Sequence, residues 1–245
     1  MNRWQASLIH LIISFLILST IAIYVIYFWY PIPLLPMANA DKLLMLVAGI
    51  DLILGPLLTL IVFKQGKPSL KMDLTVIAIV QASFLGFGLH TLYESRPVYL
   101  VASGKMFHMV FANEILAEDL AKAVPEYQNL SFTHPRLVGA VLPSDKQERS
   151  QLMMSALFAG HDVQQSPQYY VSYDKVVPDI LKNSMMINSA PLSAPKLAAL
   201  KQAVQDYGYV PEQVRIMNLG SARGFATILL DAKTAKVIGY ANVDL

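Results

Sequence analysis

Three long apolar runs open the chain, and a mixed pattern of strand and helix signals follows them. The runs are Leu8–Tyr30, Leu43–Phe63 and Leu74–Leu92. At about 1.5 Å of rise per residue, the 21 residues of the second make a helix about 32 Å long, enough to cross a hydrocarbon core of about 30 Å. The 19 residues of the third just suffice. The pattern therefore predicts a membrane domain over residues 1–93, with spans at about 8–30, 43–63 and 74–92. After the first run, Pro31, Pro33 and Pro36 are expected to end the helix and make a short extended loop. Gly66 and Pro68 are expected to turn the chain between the second and third runs. Ala38-Asn39-Ala40 has the small-residue form of a signal cleavage site, but the apolar run before it is about twice a signal h-region, so an uncleaved span is expected.

Beyond Glu94 the period changes. Pro97–Ala102 and Met106–Phe111 flank Ser103-Gly104-Lys105 and read as a hairpin. Glu114–Ala123 reads as a short helix that begins with acids, and Leu137–Leu142 as a strand between two prolines. Ser144 with Gln147 offers a capping box for a helix that runs to about Ala159 and closes on Gly160. Further helices are expected around Pro178–Met186 and from Pro195 to Tyr207, the latter closed by Gly208. The final segment, FATILLDAKTAKVIGYANVDL, reads as a second hairpin. Hairpins with interspersed helices predict an α+β domain over 94–245 with a mainly antiparallel sheet.

Composition sharpens that division. The 245 residues are 55% hydrophobic and 15% charged. Residues 1–93 carry only Arg3, Asp41, Lys42, Asp51, Lys64, Lys67, Lys71 and Asp73 as formal charges. Residues 94–245 carry 14 basic and 14 acidic residues, so that domain is neutral and nucleic acid is not an expected partner. The chain has no cysteine, which excludes thiol chemistry and disulfides. Arg3 with Lys64, Lys67 and Lys71 favours a cytoplasmic N-terminus, and Lys42, Arg96 and Lys105 oppose it. Three crossings then put residues 94–245 in the periplasm. Tyr24, Tyr27, Trp29 and Tyr30 at the exit of the first span are expected at the lipid–water interface.

Candidate chemistry is sparse. Asp51 is the one acid inside a span, where a carboxyl is costly, and Gly55 and Pro56 follow it closely. With Gln81 and Ser83 of the third run, and Ser19 and Thr20 of the first, it is expected to form a polar clasp or a binding site; the clasp is favoured because no basic residue lies at that depth. His10 and His90 are expected to be interfacial. His108, His134 and His161 are too widely spaced for a local metal motif, and neither metal nor cofactor is expected. Ser193-Ala-Pro-Lys196 matches S-x-x-K by letter, but a helix cap is the simpler role for Ser193. GSARG at 220–224 is not G-x-S-x-G. Gln164, Gln165, Tyr169, Tyr170 and Tyr173 form a polar–aromatic stretch, read either as an exposed recognition patch or as tyrosines packed on the sheet.

Several blocks resemble the type IV pilin accessory proteins of the TfpX/TfpZ family. They are Arg3-Trp4, FWYP (28–31), AGIDLILGPLLTLIVFKQGKPSLKMDL (48–74), SRPVYLV (95–101), RLVGAVLP (136–143), GHDVQQSPQYYVSYD (160–174) and LLDAKTAKVIG (229–239). The family pattern has Gly where this chain has Ala235, and an aromatic ending where it has Val243-Asp244-Leu245. The resemblance implies a non-enzymatic inner-membrane protein, chaperone-like, that supports stability and assembly of a cognate major type IV pilin. The spans would shelter the pilin helix through close approach at Gly49, Gly55, Gly86 and Gly88, and the 164–173 segment would meet the pilin head. Two alternatives belong to other classes: a membrane-anchored enzyme that modifies pilin or envelope glycan, and a transport or sensor subunit built around Asp51.

Overall fold

The computed structural model describes residues 1–30 and 34–245. Pro31 and Pro33, expected to begin the extended loop, lie outside the described residues. Among the described residues, three helices are long and apolar enough to cross a membrane: Arg3–Trp29, Ala40–Val62 and Leu70–Glu94. Span one is helix α1 (Arg3–Tyr24) with a wide π turn at Val25–Trp29. An Asn2–Gln5 capping box starts it. Span two is α2 (Ala40–Gly49), a π turn at Ile50–Leu54, and α3 (Gly55–Val62). Span three is α4 (Leu70–Glu94). Gly66, at φ +82°, turns the chain between spans two and three, as expected of a residue without a Cβ.

Two expectations near the end of span one are corrected. Residues 34–39 form helical turns rather than an extended loop, with Ala38 N–H donating to Leu34 O at 3.0 Å and Ala40 N–H to Leu35 O at 3.3 Å. Tyr24 and Tyr27 stay exposed, but Trp29 and Tyr30 are buried. The cause is packing. Tyr30 turns inward, and its hydroxyl donates to Leu92 O at 2.8 Å at the end of span three.

The α/β domain is built on a mixed sheet of eight strands among the described residues: β1 (Pro97–Ser103), β2 (Met106–Phe111), β3 (Arg136–Ala140), β4 (Tyr170–Val171), β5 (Met185–Met186), β6 (Val214–Ser221), β7 (Gly224–Asp231) and β8 (Val237–Ala241). The order is β4-β3-β1-β2-β6-β7-β8, with β5 also paired to β6. The pairing is mostly antiparallel, including both predicted hairpins, β1–β2 and β7–β8. Two junctions, β1–β3 and β2–β6, are parallel. Strand β6 is not predicted by the sequence pattern, yet it joins the two halves of the sheet.

The helices are α5 (Ala117–Lys122), α6 (Lys146–Ala159), α7 (Val177–Asn183) and α8 (Ala194–Asp206). The predicted α6 cap moves by one residue: Asp145, not Ser144, accepts from the N–H of Glu148 at 2.9 Å. The carboxylate of Asp145 thus serves the third N–H of its own first turn, Glu148, in place of the Gln147 N–H that Ser144 would have served. Gly160 closes α6 at φ +66° and Gly208 follows α8 at φ +78°. Met185 and Met186 leave the helix expected there and pair with Ile216 and Arg215 of β6. Ala235, where the related pattern has Gly, takes φ +55° and is fully buried.

Spans and sheet share one core. Val25, Trp29, Tyr30, Leu34, Met37 and Leu92 pack in the same cluster as Leu100, Phe107, Met217, Leu219 and Ile228. Only Ser95 and Arg96 separate α4 from β1. Arg96, itself buried, donates to Tyr93 O at 2.7 Å and Ser131 O at 3.0 Å, and lies 4.0 Å over the Tyr93 ring. Arg223, in the β6–β7 turn, donates to Ala38 O at 3.1 Å and Ser95 O at 3.3 Å, and lies 3.8 Å over the Phe111 ring. Two guanidinium groups thus staple the sheet to the start of span two and the end of span three.

Candidate functional site

The chemistry around Asp51 begins with a missing hydrogen. In an α-helix the Asp51 carbonyl would accept from the N–H of residue 55. Here Gly55 N–H bonds Ile50 O, one residue further back, and makes the π turn. Residue 56 is proline and has no N–H to offer in its place. The Asp51 carbonyl is left without a helical donor inside an apolar span, where an unpaired backbone group is costly. Gln81 of span three supplies it. Its Nε2 lies 3.3 Å from Asp51 O and 3.3 Å from Asp51 Oδ1. One amide serves both the orphaned carbonyl and the buried carboxyl. Gly55 makes room for it, since a Cβ there would stand 2.0 Å from Gln81 Nε2. Asp51, Gly55, Pro56 and Gln81 form one unit.

Ser83, expected in the same clasp, is not part of it. Two residues along a helix turn about 200°, so Ser83 faces away from Gln81. It is exposed and donates to Ile79 O of its own helix at 2.8 Å. Thr20 likewise bonds Leu16 O of its own helix at 2.9 Å. Ser19 lines a separate groove with Leu44 and Leu89. Span one instead meets span two through residues closer to its N-terminus. Ser7 Oγ donates to Pro56 O at 2.9 Å, and His10 Nδ1 lies 2.6 Å from Thr59 Oγ1. His10 is thus a tie between helices rather than an interfacial residue. Its spacing from Ser7 and Ser14, one turn each, is the sequence signal that could have marked this seam. His10, Ser14, Asp51 and Gln81 line a cavity of about 210 Å³ between the helices.

Nearer the sheet, the three spans leave an apolar groove of about 290 Å³ lined by Phe15, Ala22, Leu44, Ala48, Leu85 and Leu89, among others. The four glycines within the spans divide into two kinds. Gly55 and Gly88 are filled by Gln81 and Val47 of the neighbouring span. Gly49 and Gly86 meet nothing within 4 Å of where a Cβ would stand.

The 164–173 stretch is settled in favour of packing. Tyr170 is buried, and its hydroxyl bonds Gln164 O at 2.5 Å. Burial pushes the Tyr170 hydroxyl well above the usual phenol range. The Tyr173 hydroxyl donates to Ala235 O at 2.7 Å, and burial raises its pKa to about 12. Tyr169 is half-buried and donates to Glu148 at 3.0 Å. These tyrosines do not form an exposed patch, because the backbone between Gln165 and Val171 alternates short 3₁₀ turns with the edge strand β4 and turns the rings inward. Gln164 and Gln165 are half-buried and line a cavity of about 300 Å³ with His108, Glu114 and Phe225.

The three histidines of this domain lie in different places. His108 is on β2, and burial lowers its pKa. Glu114, on the same cavity, has its pKa raised by burial, against the pull of the Phe111 N–H and Arg223. His134 packs edge-on against Tyr27, with 6.3 Å between ring centroids. His161 Nε2 meets Asp119 Oδ2 at 2.6 Å and Ser166 Oγ at 3.3 Å. Both partners sit on the same ring nitrogen. A Ser–His–Asp relay needs the hydroxyl on one nitrogen and the carboxylate on the other, so the three do not form one. Among the described residues, no group of three or more His, Asp or Glu side chains gathers as a metal site would require. Ser193 stands at the N-cap position of α8 without the expected side-chain bond, and Lys196 reaches Asp244 O instead of Ser193.

These features define a membrane protein with three spans, tied together by buried polar contacts and stapled to an α/β domain. The chain belongs to the fimbrial assembly protein family. The sequence model described as "Fimbrial assembly protein FimB" matches residues 1–38. The chain is similar to the fimbrial assembly protein of serogroup E1 of Dichelobacter nodosus, 26% identical over 96% of this chain and 93% of that one. It is similar to the serogroup I protein of the same organism, 25% identical with the same coverage. The protein of serogroups C1 and C2 is 30% identical over 47% of this chain and 89% of its own length. These relatives agree with the resemblance to type IV pilus accessory proteins. No solved structure matches the chain.

Proposed function

We propose that this chain is a non-catalytic inner-membrane accessory protein that stabilises a cognate major type IV pilin before and during its assembly. The observation that carries the reading is the similarity to fimbrial assembly proteins along nearly the whole chain, spans and α/β domain alike. A role in pilus assembly follows from that similarity, and pilin stabilisation is the finer step. The shape of the membrane part supports it. The groove by Ala22, Leu44, Ala48 and Leu85 offers an apolar helix a close approach in lipid, where packing rather than water drives association. The N-terminus is cytoplasmic and the α/β domain periplasmic in this reading. Arg3, Lys64, Lys67 and Lys71 favour it, and Arg96, one of the opposing charges, is buried and bonded to carbonyls.

Two experiments test this. The gene is deleted and pilin in the membrane fraction is followed; unchanged pilin and unchanged piliation overturn the proposal. Separately, a photo-crosslinking residue at Leu85, on the groove, is expected to capture the pilin in cells, while one at Gly66, in the loop at the opposite end of the spans, is not.

A further inference from the structure

Asp51 stands at the middle of its span. Ala40–Val62 has eleven residues on either side of it, so bulk water is about 16 Å away along the axis in both directions. Gln81 has eleven residues of span three before it and thirteen after. Ser14 likewise falls near the middle of span one. Helices α1 and α4 both pack against α3, and the cavity of about 210 Å³ lies between the three spans at that level. Ser14 lines it from span one, Asp51 from span two, and Gln81 and Ala82 from span three.

The polar groups on this cavity have hydrogen-bonding capacity left over. Gln81 Nε2 serves Asp51 O and Oδ1. Asp51 Oδ2 and Gln81 Oε1 then have no partner among the described residues, and none of the clasp atoms is walled off by protein. The hydroxyls of Thr20, Ser83 and Thr91 each bond the carbonyl four residues back in their own helix. The Ser14 hydroxyl makes no such bond and no other among the described residues, although Ser14 is buried. His10 commits Nδ1 to Thr59 and has Nε2 left. Acceptors and one hydroxyl thus face a shared space at the depth where lipid offers neither donor nor acceptor.

We infer that this cavity is a water-binding site: a small cluster of ordered waters at the centre of the membrane, bonded to His10, Ser14, Asp51 and Gln81. Water is the occupant because the lining meets both requirements for it. One water needs roughly 10–15 Å³ of such space and two to four polar partners, and the cavity exceeds the first and supplies the second. A water can donate to Asp51 Oδ2 and Gln81 Oε1 while it accepts from Ser14, and it accepts from Asp51 if the carboxyl is protonated. The waters complete the clasp, and they give the carboxyl a polar setting in a span that carries no Lys or Arg from 43 to 63. Leu18 and Leu85 border both this cavity and the apolar groove nearer the sheet, which stays dry because its walls offer water no such partners. The inference does not depend on pilin binding.

The test is water-edited solid-state NMR on the full-length, carbon-13-labelled protein in liposomes of phosphatidylethanolamine and phosphatidylglycerol. It reads the rate at which magnetisation passes from water to each assigned carbon. Leu16 and Ile53 are the controls; each lies two residues from a cavity residue, at the same depth, and is exposed on the outside of the spans. Transfer to the Cβ atoms of Ser14 and Asp51 is expected to be several-fold faster than to those of Leu16 and Ile53. Transfer equally slow at all four, or equally fast at all four, overturns the inference. In a second arm Ser14→Leu removes the hydroxyl and fills the cavity, and transfer to Asp51 is expected to slow to the rate at Ile53. Fast transfer to Asp51 in that variant, with circular dichroism unchanged, would place the water elsewhere and overturn the assignment to this cavity. The wild-type comparison decides alone if Ser14→Leu does not fold.

Discussion

A methyl group on Gly55 would stand 2.0 Å from Nε2 of Gln81, on the neighbouring span. That close approach lets one amide reach both the carbonyl and the carboxyl of Asp51. It sets the sign of a substitution that helix propensity alone would get wrong. Alanine in place of glycine within a helix gains about 1 kcal/mol. At Gly55 it displaces Gln81 and leaves buried polar groups unpaired, which costs about 1–3 kcal/mol for each group. Gly55→Ala is expected to lower the thermal midpoint of the detergent-solubilised protein. Gly86→Ala, with open space around it, is expected to leave that midpoint unchanged or raise it.

The clasp also separates two roles for Asp51. Gln81 donates to Asp51 through Nε2, and an asparagine keeps an oxygen acceptor in the same place. Asp51→Asn is therefore expected to accumulate normally and to support normal piliation. Gln81→Leu removes the donor and is expected to reduce the level of protein in the membrane. Normal accumulation of Asp51→Asn with complete loss of piliation would instead favour a transport or sensor role for the carboxyl.

Arg223 reaches from the sheet to carbonyls of two different span ends. Hydrogen bonds from a charged donor are worth about 1.5–3 kcal/mol each in partly buried settings. Arg223→Ala is expected to loosen the joint between spans and sheet, seen as faster amide exchange in the 34–40 turns and in β6–β7, and to lower the unfolding midpoint. Exchange unchanged from the wild type would show that Arg96 holds the joint alone.

Burial lowers the pKa of His108 in the folded chain below its value in the unfolded chain. The unfolded chain then binds a proton that the folded chain refuses. Stability from neutral His108 is complete above about pH 6.5 and is lost as the pH falls from there through the folded-state value. The midpoint of unfolding is expected to fall between pH 7.5 and 5.5, and His108→Gln to flatten that slope.

The amino-acid sequence alone determined the membrane part as a set of elements. Each run from 8 to 92 is long enough to span and polar residues within it are few, so its location follows from the cost of leaving backbone groups unpaired in lipid. Local signals also set the two hairpins and the closures at Gly160 and Gly208, where a positive φ needs a residue without a side chain. The clasp was half legible: Asp51, Pro56 and Gln81 stood out as polar or helix-breaking residues in apolar runs. Ser83 was misassigned because depth in the membrane can be counted from sequence, whereas rotation about the helix axis toward a neighbour is set by packing. Tertiary structure alone decided the rest. It turned Trp29, Tyr30 and Tyr170 inward, placed β6 at the centre of the sheet through a parallel pairing with β2, and brought Arg223 to Ala38 across 185 positions of chain. Such contacts join segments whose local preferences carry no record of one another, and they form only because a shared core stabilises both sides at once.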